Sequence, residues 1–406
     1  MATFFMLWLG VTNASLGQWP QWGGPTRNFK AETKDLAICW PENGPALLWR
    51  RPLGDGYSSI IVHRNRLFTM YRDEEDEVII ALSPKTGRTV WEHRYSAPVS
   101  KEDFARRYGI GPRSTPLVMD HRIYAIGFNG TLHCLDEHTG ASRWRIELLD
   151  RFGGNKTRWG YACSPLAHHN LIIVFTGGRG ASVVALEADS GRVIWKRHDF
   201  KNSYASPILI DVDGEQQLVC FMTHEIAGLD PNDGRLKWRH PHENQWRNNV
   251  VTPVWGAGNM LFLSSEGHGG SRVLKLSRRG TKTNVRELWH TQKLRISHRN
   301  AIRIGDYIYG SHGDFGPRSF DAVHVMSGEF AWRNRNFSKS GLVWADGKFL
   351  MLDEDGNLTL ATATPEKLTL HAKAKLLEHP AWTIPTLVGH HLYLRDRKVI
   401  MAVELP

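Results

Sequence analysis

Short apolar runs broken by polar turns repeat along the chain, and residues 113 to 144 show the unit most clearly. Leu117-Val118 is apolar, Asp120-His121 is a polar turn, and Ile123 to Ile126 is apolar again. Asn129-Gly130 follows, a hairpin signal, because both central positions of a tight type I′ turn need positive φ. Thr131 to Leu135 then leads to the turn Glu137-His138-Thr139-Gly140, where glycine can take the left-handed position before a last run ending in Trp144. One unit therefore predicts four antiparallel strands.

The unit recurs in register. A small residue near the start of each first strand gives Ser59, Thr115, Ser164, Ser206, Thr252, Asn300, Ser340 and Ile384. Third strands align as Ala81-Leu82, Cys134-Leu135, Ala185-Leu186, Gly228-Leu229, Lys275-Leu276, His324-Val325, Leu360-Ala361 and Ala402-Val403. Turn glycines fall at Gly87, Gly140, Gly191, Gly234, Gly280 and Gly328, and closing tryptophans at Trp91, Trp144, Trp195, Trp238, Trp289 and Trp332. The eighth repeat lacks its fourth strand, whereas Ala46 to Arg51, with Trp49, is a strand without a hairpin partner nearby. An all-β, eight-bladed β-propeller of four-stranded antiparallel blades follows, its last blade completed by the strand over 46–53. Blades begin near 57, 113, 161, 204, 249, 298, 339 and 382. The expected organisation is a signal peptide over 1–17, a Pro/Gly-rich lead-in loop over 18–45, and a single propeller domain over 46–406.

The signal peptide rests on the apolar run Phe4 to Val11 followed by Ala14, Ser15 and Gly17, although its first residues carry no Lys or Arg. No other stretch approaches the roughly 18 apolar residues that a membrane-spanning helix needs. A periplasmic or secreted, monomeric protein without a transmembrane segment is expected. The 41 acidic and 51 basic residues give a net charge of +10, spread without a basic stripe, which fits an anionic partner but not a nucleic acid. Cys39, Cys134, Cys163 and Cys220 match no zinc spacing. Cys134 and Cys163 could pair in an oxidising compartment.

The run Val184-Ala185-Leu186-Glu187-Ala188-Asp189-Ser190-Gly191-Arg192-Val193-Ile194-Trp195 resembles the pyrroloquinoline quinone (PQQ) repeat of the quinoprotein alcohol dehydrogenase-like propellers. Trp19-Pro20-Gln21-Trp22-Gly23-Gly24-Pro25 resembles the start of exported bacterial PQQ-like repeat proteins. The likeness spans nearly the whole chain. It implies the propeller strongly and an activity weakly, since the same repeat builds quinoprotein dehydrogenases and non-enzymatic propellers such as the lipoprotein subunit of the outer-membrane assembly machine. A dehydrogenase of this kind implies PQQ, a calcium or lanthanide ion held by acidic and amide oxygens, a carboxylate base and often a disulfide between adjacent cysteines. This chain has no Cys-Cys pair and no C-x-x-C-H haem motif, and no catalytic residue carries over by motif.

The candidate chemistry is therefore sought in the repeats' differences. Asp211-Val212-Asp213-Gly214 and Asp353-Glu354-Asp355-Gly356-Asn357 begin like calcium loops, but the twelfth positions are Met222 and Thr364, and Asp-Gly between strands is a hairpin turn. His63, His121, His168-His169 and His390-His391 share the turn between first and second strands. Because these turns belong to different blades, no metal site is expected. The first-strand starts and the long connectors carry Tyr57, Arg113, Arg158, Trp159, Tyr161, Tyr204, Trp246, Arg247, Asn248, His298, Arg299, Lys339 and Trp382, and no carboxylate stands at the strand starts. In a propeller these positions ring one mouth of the central channel. Guanidinium groups suit carboxylate, sulfate or phosphate, and aromatic faces suit flat or sugar-like bodies. Aromatic rings filling a narrow channel beside solvated basic groups would explain the same pattern, and both explanations stand at this point. The expected function is a non-enzymatic, exported binding or scaffold protein for an envelope protein, anionic glycan or small anion, with no cofactor. The alternative is a PQQ- and calcium-dependent alcohol or sugar dehydrogenase.

Overall fold

The computed structural model describes residues 17–313, 317–337 and 339–406. All but the last residue of the expected signal peptide lies outside them. Eight four-stranded antiparallel sheets make up the chain, each ordered from an inner strand outwards. The inner strands are Ile61–His63, Leu117–Met119, Leu166–His168, Ile208–Val212, Val254–Gly256, Ala301–Ile304, Ser340–Ala345 and Thr386–Val388. The strand Ala46–Pro52 pairs with Val399–Glu404 as the outer strand of the eighth blade, so the first strand of the propeller closes the ring. Closure hides the edge that an unpaired third strand would expose.

Each blade carries a β-bulge between its third and fourth strands, beside the closing aromatic position. The bulge turns the indole towards the next blade, where it lies on the flat, Cβ-free face of a left-handed turn glycine. Trp91, Trp144, Trp195 and Trp289 pack in this way on Gly140, Gly191, Gly234 and Gly328, and Trp49 packs on Gly87. Each of these indoles also donates Nε1–H to a backbone carbonyl of that next blade, at 2.7–3.2 Å.

Two alignments made from the sequence shift. In blades five and six the residues opposite Trp289 and Trp332 are Val273 and Ala322, two positions before Lys275 and His324. Gly280 does not belong with the docking glycines. It sits in a two-residue turn at the tip of a hairpin whose strands run ten residues each, and nothing approaches its Cβ position. With that docking face gone, Trp238 donates Nε1–H to Gln217 Oε1 in its own blade at 2.7 Å, and Gln217 Nε2 donates to Thr283 Oγ1 across the seam at 2.7 Å. The blade four–five contact is polar where its neighbours are aromatic: Asp213 accepts from Asn259 Nδ2 and the Arg278 amide, and Glu215 pairs with Lys237 and Arg278.

The lead-in segment enters the ring instead of lying over it. Trp19 exchanges backbone hydrogen bonds with Val62, Pro20 accepts from the Val118 amide, and Ala31 and Phe29 bracket Trp344. Arg27, buried, donates to the carbonyls of Pro165 and Pro207 and to Gln21 Oε1. Blades one, two, three, four and seven are thereby tied to one stretch of chain. At the closing seam the fully buried Arg395 donates to the carbonyls of Ser58 and Met70 and to Thr69 Oγ1, joining blade eight to blade one.

Candidate functional site: the channel mouth

A cavity of about 370 Å³ occupies the channel axis at the end where the inner strands begin. Trp22 of the lead-in segment reaches it and donates Nε1–H to Thr252 Oγ1 at 2.9 Å. The small residues at the strand starts hold the blades together around it. The Ser59 amide donates to Thr115 Oγ1, the Thr115 amide to Ser164 Oγ and the Ser164 amide to Ser206 Oγ, at 2.9–3.1 Å. Asn300 continues the role by exchanging bonds with the Leu342 backbone.

Of the residues singled out from the sequence, Tyr57, Arg113, Trp159, Tyr204, Asn248, His298, Arg299, Lys339 and Trp382 line this cavity. Four do not. Tyr161 is buried and donates its hydroxyl to the Phe175 carbonyl at 2.8 Å, because the chain turns its ring into the seam between blades two and three. Arg158 lies over the Phe104 ring at 3.8 Å on the outer connector. Trp246 is exposed, and Arg247 takes positive φ in the same outward turn. Tyr108, Trp22, Asn300, the hydroxyl residues and the apolar Ala162, Val250 and Ile384 complete the lining.

One wall is aromatic. Tyr57 stacks on Trp382 (centroids 5.3 Å, 21°), and Tyr108 meets Trp159 edge-on at 4.9 Å. Arg113 lies 4.9 Å over the Tyr57 ring and is held by the carbonyls of Trp159 and Gly109 at 2.7 Å. Burial lowers the Arg113 pKa from its ordinary value and pushes the Tyr57 hydroxyl up to about 12, so tyrosine stays neutral here at physiological pH. His298, Arg299 and Lys339 lie on other blades, and Lys339 Nζ stands 3.8 Å from Glu354, which is also paired with Arg318. No Asp or Glu lines the cavity among the described residues.

Other candidates resolve into structure. Asp211–Gly214 and Asp353–Asn357 form tight hairpin turns, with Asp353 Oδ1 accepting from the Asp355 and Asn357 amides. All four cysteines are free thiols, and Cys163 donates to the Ser203 carbonyl. His168 bonds Asn232 and His390 bonds the Leu405 carbonyl, while His63 and His121, against expectation, converge on Glu137. Among the described residues no helix is long and apolar enough to cross a membrane.

Eight closed blades built from a repeat with a docked tryptophan define a PQQ-repeat β-propeller. Residues 75–334 match the family model described as outer membrane protein assembly factor BamB, and the chain belongs to that family. It is 22% identical to the outer membrane protein assembly factor BamB of Yersinia pestis over 379 residues, 87% of this chain and 82% of the relative. A shorter match, 25% identical over 158 residues, covers 36% of this chain and 25% of the quinoprotein alcohol dehydrogenase PedH of Pseudomonas putida. Among solved structures, BamB of Moraxella catarrhalis superposes with a TM-score of 0.63 at 17% identity, covering 88% of this chain and 97% of that one. Quinohemoprotein alcohol dehydrogenase of Comamonas testosteroni gives 0.54 at 11% identity, over 97% and 81%.

Proposed function

We propose that the chain is a non-enzymatic, exported binding or scaffold propeller of the cell envelope, whose channel mouth takes an anionic ligand with a flat or sugar-like body. The observation that carries this reading is the cavity's composition: Arg113 over the Tyr57–Trp382 stack and Arg299 and Lys339 elsewhere in the same lining, with no lining carboxylate among the described residues. Cationic side chains in a partly enclosed site hold carboxylate, sulfate or phosphate, and stacked rings hold the body that carries it. The BamB relatives, named as outer membrane protein assembly factors, support the non-enzymatic envelope role.

The similarity to PedH favours a second reading, a PQQ-dependent dehydrogenase. The three basic groups match the charge of a tricarboxylate quinone. The ion does not fit, because calcium takes several carboxylate and carbonyl oxygens; the base of such an enzyme is a carboxylate, and the described lining offers only the His298 imidazole in that role. The described lining offers Asn248 and Asn300 amides but no carboxylate.

Retention on an immobilised sulfated polysaccharide tests the first reading. Arg299→Ala with Lys339→Ala should elute at clearly lower salt, whereas Arg158→Ala with Arg247→Ala, an equal charge loss outside the cavity, should elute like the unaltered protein. Equal shifts for both pairs would mean diffuse charge attraction and remove the channel from the argument. Saturable quinone binding with calcium-dependent dye reduction would instead establish the dehydrogenase.

A further inference from the structure

On the face opposite the channel mouth, the turns of blades one and two bring three imidazoles to one carboxylate. Glu137 is 1% exposed, and its backbone is fixed on both sides: its amide donates to the His121 carbonyl, and its carbonyl accepts from Trp91 Nε1 and Arg66 Nη1 at 3.0 Å. Oε1 lies 2.5 Å from His63 Nδ1. Oε2 is buried with no hydrogen-bond partner and lies 3.7 Å from His121 Nδ1. A buried carboxylate oxygen left unpaired costs free energy unless a positive group completes it. The donor atoms of His121, Glu137 and His138 all lie within 4.8 Å of one another.

We propose that His121, His138 and Glu137 Oε2 bind a divalent transition-metal ion of the zinc class, with His63 holding Oε1 and so aiming Oε2 at the ion. Two imidazoles and one carboxylate are a borderline-soft donor set that suits zinc, with a fourth position open to water, and a hydrogen-bonded non-ligating oxygen is the usual support of such a carboxylate. Local conformation presents the ligands. Asp120 and His121 both take positive φ, which turns the His121 ring outwards, and His138 follows the rigid turn capped by Asp136 Oδ1. The His121 and His138 rings already lie side by side, 5.8 Å apart and 27° from parallel.

Two arginines bear on the site. Arg66 is committed to the carbonyls of Glu137 and His138. Arg64, in an exposed turn with positive φ, places Nη1 3.1 Å from His121 Nδ1. It occupies a position a cation would claim, so the ion must displace it, and its removal should strengthen binding.

The test is titration of the chelator-treated full chain with zinc chloride, and with cobalt chloride for the tetrahedral absorption bands. One saturable equivalent is expected. His121→Ala with His138→Ala should weaken it by about tenfold or more, Glu137→Gln should do likewise while keeping the backbone acceptor of Trp91, and Arg64→Ala should tighten it. Thermal unfolding of each metal-free variant shows whether the fold is kept. Absence of saturable binding, or binding unchanged in a folded His121→Ala, His138→Ala double variant, overturns the proposal.

Discussion

The indole of Trp49 rests on Gly87, so closely that a Cβ on that glycine would lie 2.5 Å from the ring, and its Nε1–H is donated to the Pro84 carbonyl at 2.7 Å. Trp49 is on the first strand of the propeller and Gly87 in the blade that follows it, so this contact helps to close the ring between blade eight and blade one. Trp49→Ala should cost about 3–5 kcal/mol, the range for deleting a buried aromatic side chain. Gly87→Ala and Gly280→Ala form a controlled pair. Both glycines have positive φ, at 66° and 62°, but only Gly87 faces an indole. Left-handed strain alone costs roughly 1–2 kcal/mol, so Gly280→Ala should lose that much and Gly87→Ala distinctly more. Urea midpoints measure both, and equal losses would mean that the indole contact contributes little.

The same pair shows how far the residues could be read in advance. Alternating apolar runs and the Trp column are local signals, so blade number and ring closure were legible; Asn129-Gly130 does turn the chain, but only Gly130 takes positive φ, so the pair is not the type I′ turn expected of it. Gly280 matched its column by spacing alone, and whether a glycine receives an indole depends on hairpin length and on a residue of another blade. Of the site, Tyr57, Arg113, Arg299 and Trp382 could be placed because most strand starts border the channel. Tyr161 looked equivalent by position, but its ring turns into the blade seam, a matter of side-chain direction that spacing does not encode. Trp22 was invisible as a cavity residue because its partner Thr252 lies 230 positions away. The convergence of His63 and His121 on Glu137 likewise needs the angle between two blades.

Acid should destabilise the protein through His133. This ring is buried against Tyr95 (4.1 Å) and His93 (5.1 Å), with no hydrogen-bond partner on either nitrogen, and burial lowers its pKa from 6.5 to about 3. The folded state therefore binds fewer protons than the unfolded state between those values. The contribution is fully present above about pH 6.5 and is lost as pH falls towards 3, a change on the order of a few kcal/mol. His133→Phe should flatten this part of the stability–pH curve at little cost at pH 7, since it replaces two unpaired buried nitrogens with carbon. Denaturant unfolding at pH 7, 5.5 and 4.5 decides the matter, and parallel curves for the two proteins would rule His133 out as the sensor.

Arg27 is the lock on the lead-in segment. Burial lowers its pKa to about 9, still above neutrality, so the folded protein keeps a charged guanidinium there. Its donors reach Pro165 and Pro207, on adjacent blades, and Gln21 within the segment, which a planar fork can do and a single ammonium cannot. Arg27→Met would relieve the desolvation of the charge but leave two carbonyls without their donor, a net loss of about 2–3 kcal/mol. Arg27→Lys should fall between Met and the unaltered protein. Because Trp19 and Trp22 flank the same turn, the damage should be local: faster hydrogen exchange at the Trp19 and Val62 amides, and greater access of quencher to the Trp22 indole at the cavity. Exchange at Val323 and other amides in the third strand of blade six should stay unchanged. If the Trp19 and Val62 amides exchange no faster in Arg27→Met, the segment is held by its backbone pairing alone and the guanidinium is dispensable.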